Sequence, residues 1–301
     1  MRRRTLLGAA LSAALSIPAR TLLAADAAGA RPPRVVSLDW GLTEMMLTLG
    51  VVPVGMANPD DFLRTFTVCR LPDSVVDVGL IFQPNMELLL ALEPDLIVVT
   101  PAHARLRATL ERIAPTCTLG RYAYTRTPYV SACAETRQMA QRFGRTAEAE
   151  AAIAHADAAI AQARARVAAD HALAARPLLA VAFVDDAHLR IAGSTSLYGE
   201  VLTMLGLHDA SRAPGAFATV SIESLGAWPD ATLLSPQPVP APVRRMMRDS
   251  PLWRSLPFAQ PGRFVELPVV PPNGGVRTTA YLAGLIADAL LGSAHPAREA
   301  T

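Results

Sequence analysis

Short apolar runs alternate with helical patterns along this chain of 301 residues. Val35 to Leu38, Val52 to Met56, Leu96 to Thr100, Leu178 to Val184 and Thr232 to Leu234 are largely apolar stretches, of a length that suits strands buried on both faces of a parallel sheet. Between them, Leu42 to Leu49 and Leu197 to Leu205 carry apolar residues at helical spacing. Strands separated by helices predict an α/β fold.

The pattern changes abruptly near Thr146. From there to Ala175 the chain is dominated by Ala, Glu, Gln and Arg, has no Gly or Pro, and places Ile153, Ile160 and Val167 seven apart. That predicts one helix over 145–175, about 45 Å long at 1.5 Å per residue. A coiled-coil segment is the alternative, but the seam is short and mostly alanine, which favours a strut between two α/β lobes at 34–144 and 176–293. An internal echo supports two lobes. Met86-Glu87-Leu88-Leu89-Leu90-Ala91-Leu92-Glu93-Pro94-Asp95 runs into the strand Leu96 to Thr100, and Ile222-Glu223-Ser224-Leu225-Gly226-Ala227-Trp228-Pro229-Asp230 runs into Thr232 to Leu234. Each reads as a short helix with an early glutamate, a Pro-Asp break and a strand.

The beginning of the chain has a different character. Arg2, Arg3 and Arg4 precede an apolar run from Leu6 to Ile17, with small residues and a possible cleavage site at Ala25-Asp26-Ala27. That order predicts an export signal over 1–27. Its apolar run is too short for a bilayer that needs about 20 residues, and the paired arginines before Thr5, Leu6 and Leu7 resemble a twin-arginine signal. The segment holds four of the 28 basic residues and one of the 26 acidic ones, so the rest of the chain is close to neutral and implies no nucleic-acid partner. Cys69, Cys117 and Cys133 form no C-x-x-C pair. Cys117 and Cys133 can be read as a disulfide in an oxidising compartment, or all three as buried thiols. A periplasmic location is expected.

Motifs of catalysis are missing. No G-x-S-x-G, H-E-x-x-H, P-loop or G-x-G-x-x-G follows a candidate strand, so no catalytic residue is assigned. The six histidines are scattered without i, i+4 partners, and no metal cage is expected. Asp185, Asp186 and His188 imitate an acid/base cluster, which would suit a secreted hydrolase, but read more simply as a turn at a strand end. Aromatic residues instead collect where loops should follow the strands: Trp40, Phe62, Phe66, Phe82, His103, Tyr122, Tyr124, Tyr129 and Phe217. Apolar walls with a few polar groups suit a small-molecule pocket.

The chain resembles the periplasmic substrate-binding proteins of iron-siderophore and cobalamin ABC importers, most closely the ferric-hydroxamate (ferrichrome-type) binders. The resemblance rests on Arg34-Val35-Val36-Ser37-Leu38-Asp39-Trp40, Leu71-Pro72-Asp73-Ser74-Val75-Val76-Asp77-Val78-Gly79-Leu80, Pro84-Asn85-Met86-Glu87-Leu88-Leu89, Glu111-Arg112-Ile113-Ala114-Pro115, Val220-Ser221-Ile222-Glu223, Pro251-Leu252-Trp253 and Pro261-Gly262-Arg263-Phe264, spread from about Arg34 to Leu291. It implies two Rossmann-like lobes joined by one long α-helix, the class III or helical-backbone type of periplasmic binding protein, with a ligand cleft between the lobes. It also implies a monomer without cofactor or enzymatic activity, which captures a ferric siderophore and delivers it to an inner-membrane ABC permease with its ATPase. Cobalamin, haem or another metal chelate is the alternative ligand. Glu87 and Glu223 occupy the places of the family's permease-docking acids.

For the cleft, the expected ligand-binding residues are Trp40, Phe66, Phe82, His103, Tyr122, Phe217, Asn273 and Arg277. The resemblance departs from the hydroxamate pattern at Ile81, where those binders carry an arginine directly after Asp-Val-Gly-Leu. His103 replaces their pocket tyrosine, and Gly215 and Pro271 stand near their C-lobe tryptophans. Arg277, Asn273, Arg105 and Arg121 are candidates for a replacement cation or donor.

Overall fold

The structure, a computed structural model, describes residues 31–294 except 212 and 214, so the export-signal segment 1–27 lies outside the described residues. The N-terminal half runs through Val35–Ser37 (β1), Trp40–Thr48 (α1), Gly55–Met56 (β2), Pro59–Thr65 (α2), Val76–Asp77 (β3), a two-stranded ribbon of Gly79–Leu80 (β4) and Gln83–Pro84 (β5), Met86–Ala91 (α3), Leu96–Val99 (β6), Arg107–Leu110 (α4), Thr116–Thr118 (β7) and Pro128–Phe143 (α5). Its main sheet is parallel throughout, in the order β3-β2-β1-β6-β7. Val36, Leu38, Ile97 and Val99 pack with Leu89 and Leu110 on one side of it, which explains why these strands read as continuous apolar runs.

The connecting helix, Thr146–Ala168 (α6), is shorter than the 145–175 span expected from composition. It stops because Asp170 leaves helical geometry and caps a separate short helix, His171–Ala175 (α7), by accepting from the backbone N–H groups of Ala172 and Leu173. The buried positions of α6 are Ala149, Ile153, Ala156, Ile160, Ala163 and Val167, an alternating three- and four-residue seam. Alanine at every second seam position lets a neighbouring helix approach closely.

The C-terminal half comprises Pro177–Phe183 (β8), His188–Ala192 (β9), Leu197–Met204 (α8), His208–Asp209 (β10), Phe217–Ser221 (β11), Thr232–Ser235 (β12), Ala241–Asp249 (α9), Pro251–Ser255 (α10), Phe264–Glu266 (β13) and Val276–Ala294 (α11). Here the sheet is mixed. β10, β8, β12 and β13 run parallel, whereas β9 and β11 pair antiparallel beside the second half of β8. The Asp185-Asp186-Ala187 stretch is the turn of the β8–β9 hairpin, with the Asp185 carboxylate accepting from the N–H groups of Ala187 and His188 at 2.8 and 2.7 Å. The echoed segments both precede a central strand, as α3 before β6 and as a 3-10 helix, Ile222–Ala227, before β12. Among the described residues no helix is long and apolar enough to cross a membrane.

One apolar core joins the two halves. Leu42 and Met46 of α1, Leu49 at its C-cap, the α6 seam, Val201 and Leu202 of α8, and Leu282, Ile286 and Leu290 of α11 belong to the same buried cluster. Cys69, Cys117 and Cys133 are free and buried, and burial pushes their thiols up, Cys69 to about 12. Polar ties cross the same layer. Glu44 of α1 is fully buried, and its carboxylate accepts from the N–H groups of Gly275 and Thr278 at 2.6 and 2.7 Å, at the N-terminus of α11. In the reverse direction Glu200 of α8 accepts from the Tyr129 N–H, at 2.6 Å, at the N-terminus of α5.

Glu44→Ala should therefore remove the acceptor from two buried N–H groups, at about 1–3 kcal/mol each. At about 2–4 °C per kcal/mol for a chain of this size, the melting temperature should fall by roughly 4–24 °C. Burial holds the Glu44 carboxyl above its ordinary value of 4.5. Since the folded value is the higher, the folded state binds this proton more tightly, and the associated stability is lost as pH rises through the raised value. Wild type should gain stability relative to Glu44→Gln as pH falls from neutral toward 4.5. Equal pH dependence of the two melting curves would refute that assignment.

Candidate functional site

Trp40 opens α1 directly after Asp39, whose carboxylate caps the helix by accepting from the Leu42 N–H at 3.0 Å. The Trp40 indole N–H donates to the Ala57 carbonyl at 2.9 Å, and its ring meets the edge of Phe66 at 6.5 Å. Its other side faces a cavity of about 400 Å³ shared with Asn58, Leu80, Ile81, Phe82 and Gln83. Phe66 does not reach that surface. It is fully buried and stacks on Phe62 at 5.0 Å, because the two lie four apart at the end of α2 and turn together into a cluster with Met56, Cys69 and Val75. Phe66 thus backs the wall rather than forming it.

His103 lies within the wall and is held there by its own hydrogen bonds. The ring is buried, and both nitrogens are engaged: Nδ1 accepts from the Thr100 N–H at 3.2 Å and lies 2.9 Å from the Thr100 hydroxyl, while Nε2 lies 3.1 Å from the Ile81 carbonyl oxygen. A nitrogen that accepts from a backbone N–H carries no proton, so Nε2 is the protonated one and donates to Ile81. His103 therefore staples the tip of the β4–β5 ribbon to the loop after β6. Phe82, at that tip, is 55% exposed and rests on the His103 ring at 5.1 Å.

Across the cleft floor, the Glu135 carboxylate holds a 3-10 turn, Arg121–Tyr124, by accepting from the N–H groups of Gly120 and Tyr122. The Tyr122 hydroxyl donates to the Asn273 backbone carbonyl at 2.9 Å, bridging the halves. Gly41 makes this approach possible, since a Cβ there would collide with the Tyr122 hydroxyl and lie 2.8 Å from the Asn273 oxygen. Tyr122, Asn273, Asp39, Thr100, Phe217 and Pro272 line a cavity of about 140 Å³. Phe217 and Pro272 continue into a second, of about 250 Å³, with Arg190, Tyr198 and Gln237. Thr100 leads to a third, of about 200 Å³, which holds Arg107, Arg121 and an edge of His103.

The structure thus brings Tyr122, Phe217 and Asn273 together, and places Trp40 and Phe82 on one wall. Arg277 lines none of these four cavities. It follows Val276 in the first turn of α11, where its charge acts on Glu44 and Cys69. Residues that the sequence reading missed are Asn58, Arg190, Tyr198 and Gln237. Asn58 adopts a left-handed conformation at φ 47° and does not use its side chain to cap α2, the kind of backbone cost that gathers at ligand sites.

A trough between two α/β lobes, floored by an interlobe bridge and walled by partly exposed aromatic rings, defines a small-molecule binding protein. The chain belongs to the periplasmic binding protein family, whose description matches residues 35–271. It is 31% identical over 299 residues to the iron(3+)-hydroxamate-binding protein FhuD of Escherichia coli (strain K12), covering 97% of each chain. It is 25% identical over 232 residues to the Fe(3+) dicitrate-binding periplasmic protein FecB of the same organism, covering 76% of this chain and 74% of that one. Its fold is similar to the crystal structure of Fe3+-Desferal-bound siderophore-binding protein FhuD from Vibrio cholerae, with a TM-score of 0.80 and 27% identity over 87% of this chain and 99% of the other. These relatives are binding proteins, and substrate binding is the role of this chain.

The geometry separates two roles on the N-terminal wall. If Phe82 touches ligand and His103 only positions it, Phe82→Ala and His103→Ala should each weaken binding, and the double variant should be little worse than Phe82→Ala alone. Fully additive losses in a titration of the four proteins would instead make His103 an independent contact.

Proposed function

We propose that this protein is a periplasmic receptor that captures a preformed ferric siderophore in the interlobe trough and presents it to an inner-membrane ABC permease with its ATPase, as a monomer, without a cofactor and without catalysis. The observation that carries this reading is the trough itself, where Trp40, Phe82 and Phe217 offer apolar surface to a chelate and the lobes meet through Tyr122 and Asn273. Among the described residues no three His, Cys, Asp or Glu side chains gather to hold a metal ion, so the protein is suited to iron that arrives already wrapped. The similarity to proteins named for ferric hydroxamate and ferric dicitrate supports the same class of cargo.

Tryptophan fluorescence of the purified protein should fall on titration with its ferric siderophore and stay unchanged with ferric chloride. Saturation by ferric chloride at one equivalent, with no response to any chelate, would overturn the receptor reading.

Docking to the permease falls to Glu87 and Glu223. Each is exposed in the first turn of the short helix that precedes a central strand of its lobe. The Glu223 carboxyl is held below its ordinary value, first by a hydrogen bond from the Ser221 side chain and then by the backbone, so it is ionised at neutral pH. Paired acids on separate lobes suit basic pockets on a partner, where charge-assisted hydrogen bonds fix register. Glu87→Lys/Glu223→Lys should leave chelate affinity unchanged and sharply reduce iron uptake in cells that carry the cognate permease. Undiminished uptake by that variant would remove the docking role.

A further inference from the structure

Strand register fixes the surroundings of Arg190. On β9 it stands directly opposite Ala182 of β8 and Thr219 of β11, and residues opposite one another in antiparallel strands share a face. At Arg190 and Thr219 that face is exposed, whereas Leu189 and Ile191, the neighbours of Arg190 in β9, enter the core on the other face and Ala192 further along is buried in the interlobe core. The same surface carries Phe217, whose partner across the ladder is Ala192, two residues beyond Arg190. Arg190 and Phe217 together line the 250 Å³ cavity, and no acidic residue lines it with them. Among the described residues the Arg190 guanidinium has neither an ion pair nor a hydrogen-bond acceptor.

The cavities on the other side repeat this charge. Arg121 lines the N-terminal end of the trough, again without an ion pair, while Arg107 beside it is taken by Glu111 at 2.7 Å. The acid along the trough is Asp39, and its carboxylate is spent on the cap of α1. Two guanidiniums without an ion pair therefore approach the trough from opposite lobes, and among the described residues that line these three cavities Asp39 is the one carboxylate. Such a potential does little for a neutral ligand and favours an anionic one, because guanidinium–carboxylate hydrogen bonds are charge-assisted and bidentate.

Resting on the receptor reading above, we propose that the trough selects a ferric chelate of net negative charge over a neutral trihydroxamate, and that Arg190 supplies the cationic contact to the oxygens of that chelate from the C-terminal lobe. This relocates the cation that Ile81 does not provide on the N-terminal wall.

The test is fluorescence titration of the purified full chain with ferric dicitrate and a ferric tricatecholate as anions and ferrichrome as the neutral chelate, at low and high salt. Wild type is compared with Arg190→Gln and with Arg245→Gln, an exposed arginine of α9 that lines none of the cavities. At least one anionic chelate should bind more tightly than ferrichrome and weaken with salt. Arg190→Gln should lose about tenfold or more of that affinity, with ferrichrome binding changed little and Arg245→Gln behaving as wild type. Ferrichrome binding as tight as that of both anions, or anion binding unchanged in Arg190→Gln, would overturn the inference and leave the receptor reading standing. Failure of wild type to bind any of the three chelates would count against the receptor reading itself.

Discussion

The geometry of the cleft depends on one buried carboxylate. Glu44 enters the interlobe core from α1 without solvent, where an ionised group is costly unless its oxygens are hydrogen-bonded. The N–H groups of Gly275 and Thr278 meet that need from the start of α11, where helix ends leave donors without intrahelical partners and the macrodipole favours negative charge. What is pinned matters for function. Asp39 caps α1 and Trp40 begins it, and Pro272 and Asn273 lead into α11, so this contact helps to set the separation of the two cleft walls.

Glu200 makes the same kind of contact in the opposite sense, from α8 of the C-terminal lobe to the start of α5 in the N-terminal lobe. The Tyr129 hydroxyl adds a bond to Asp157 of α6 at 2.6 Å, and Tyr122 adds its own to Asn273. Rotation of the lobes about α6 would leave two carboxylates and several N–H groups without partners inside an apolar layer, at about 1–3 kcal/mol for each orphaned group. A lock of this strength favours fixed lobes. Ligand accommodation then falls to the side chains of the walls, among them Phe82 at the β4–β5 tip, which His103 ties to the loop after β6 through Ile81.

Much of this architecture was legible in the chain. The parallel strands of the N-terminal sheet are buried on both faces and so appear as unbroken apolar runs. The seam of α6 repeats at heptad spacing because other helices, chiefly α11 and then α5, pack along it. What the sequence hid was the end of that helix, since Ala, Leu and His after Asp170 have no propensity against helix and only the capping geometry of Asp170 breaks it. Also hidden was the antiparallel ribbon of β9 and β11. With burial on one face alone, His188-Leu189-Arg190-Ile191 alternates polar and apolar residues, and such a short alternation beside Asp185 and Asp186 is easily absorbed into a turn.

The same alternation decides what could be read of the site. Rings at strand ends marked the trough in outline, but whether a ring faces ligand or core is a matter of direction that residue type does not carry. Trp40 and Phe66 are in contact, and only one of them reaches the cavity. His103 looks like a ligand group until the acceptors around it are counted, and then both nitrogens prove to be spent on the backbone and hydroxyl groups that shape the wall. Arg190 is the converse case. A search for a replacement cation confined to loops passes over it, because it lies within a strand, yet the two-residue repeat of the pleat turns it outward while its neighbours point into the core. A rigid strand is the better place for such a group, since the backbone is already fixed and only side-chain freedom need be lost when an anion is bound.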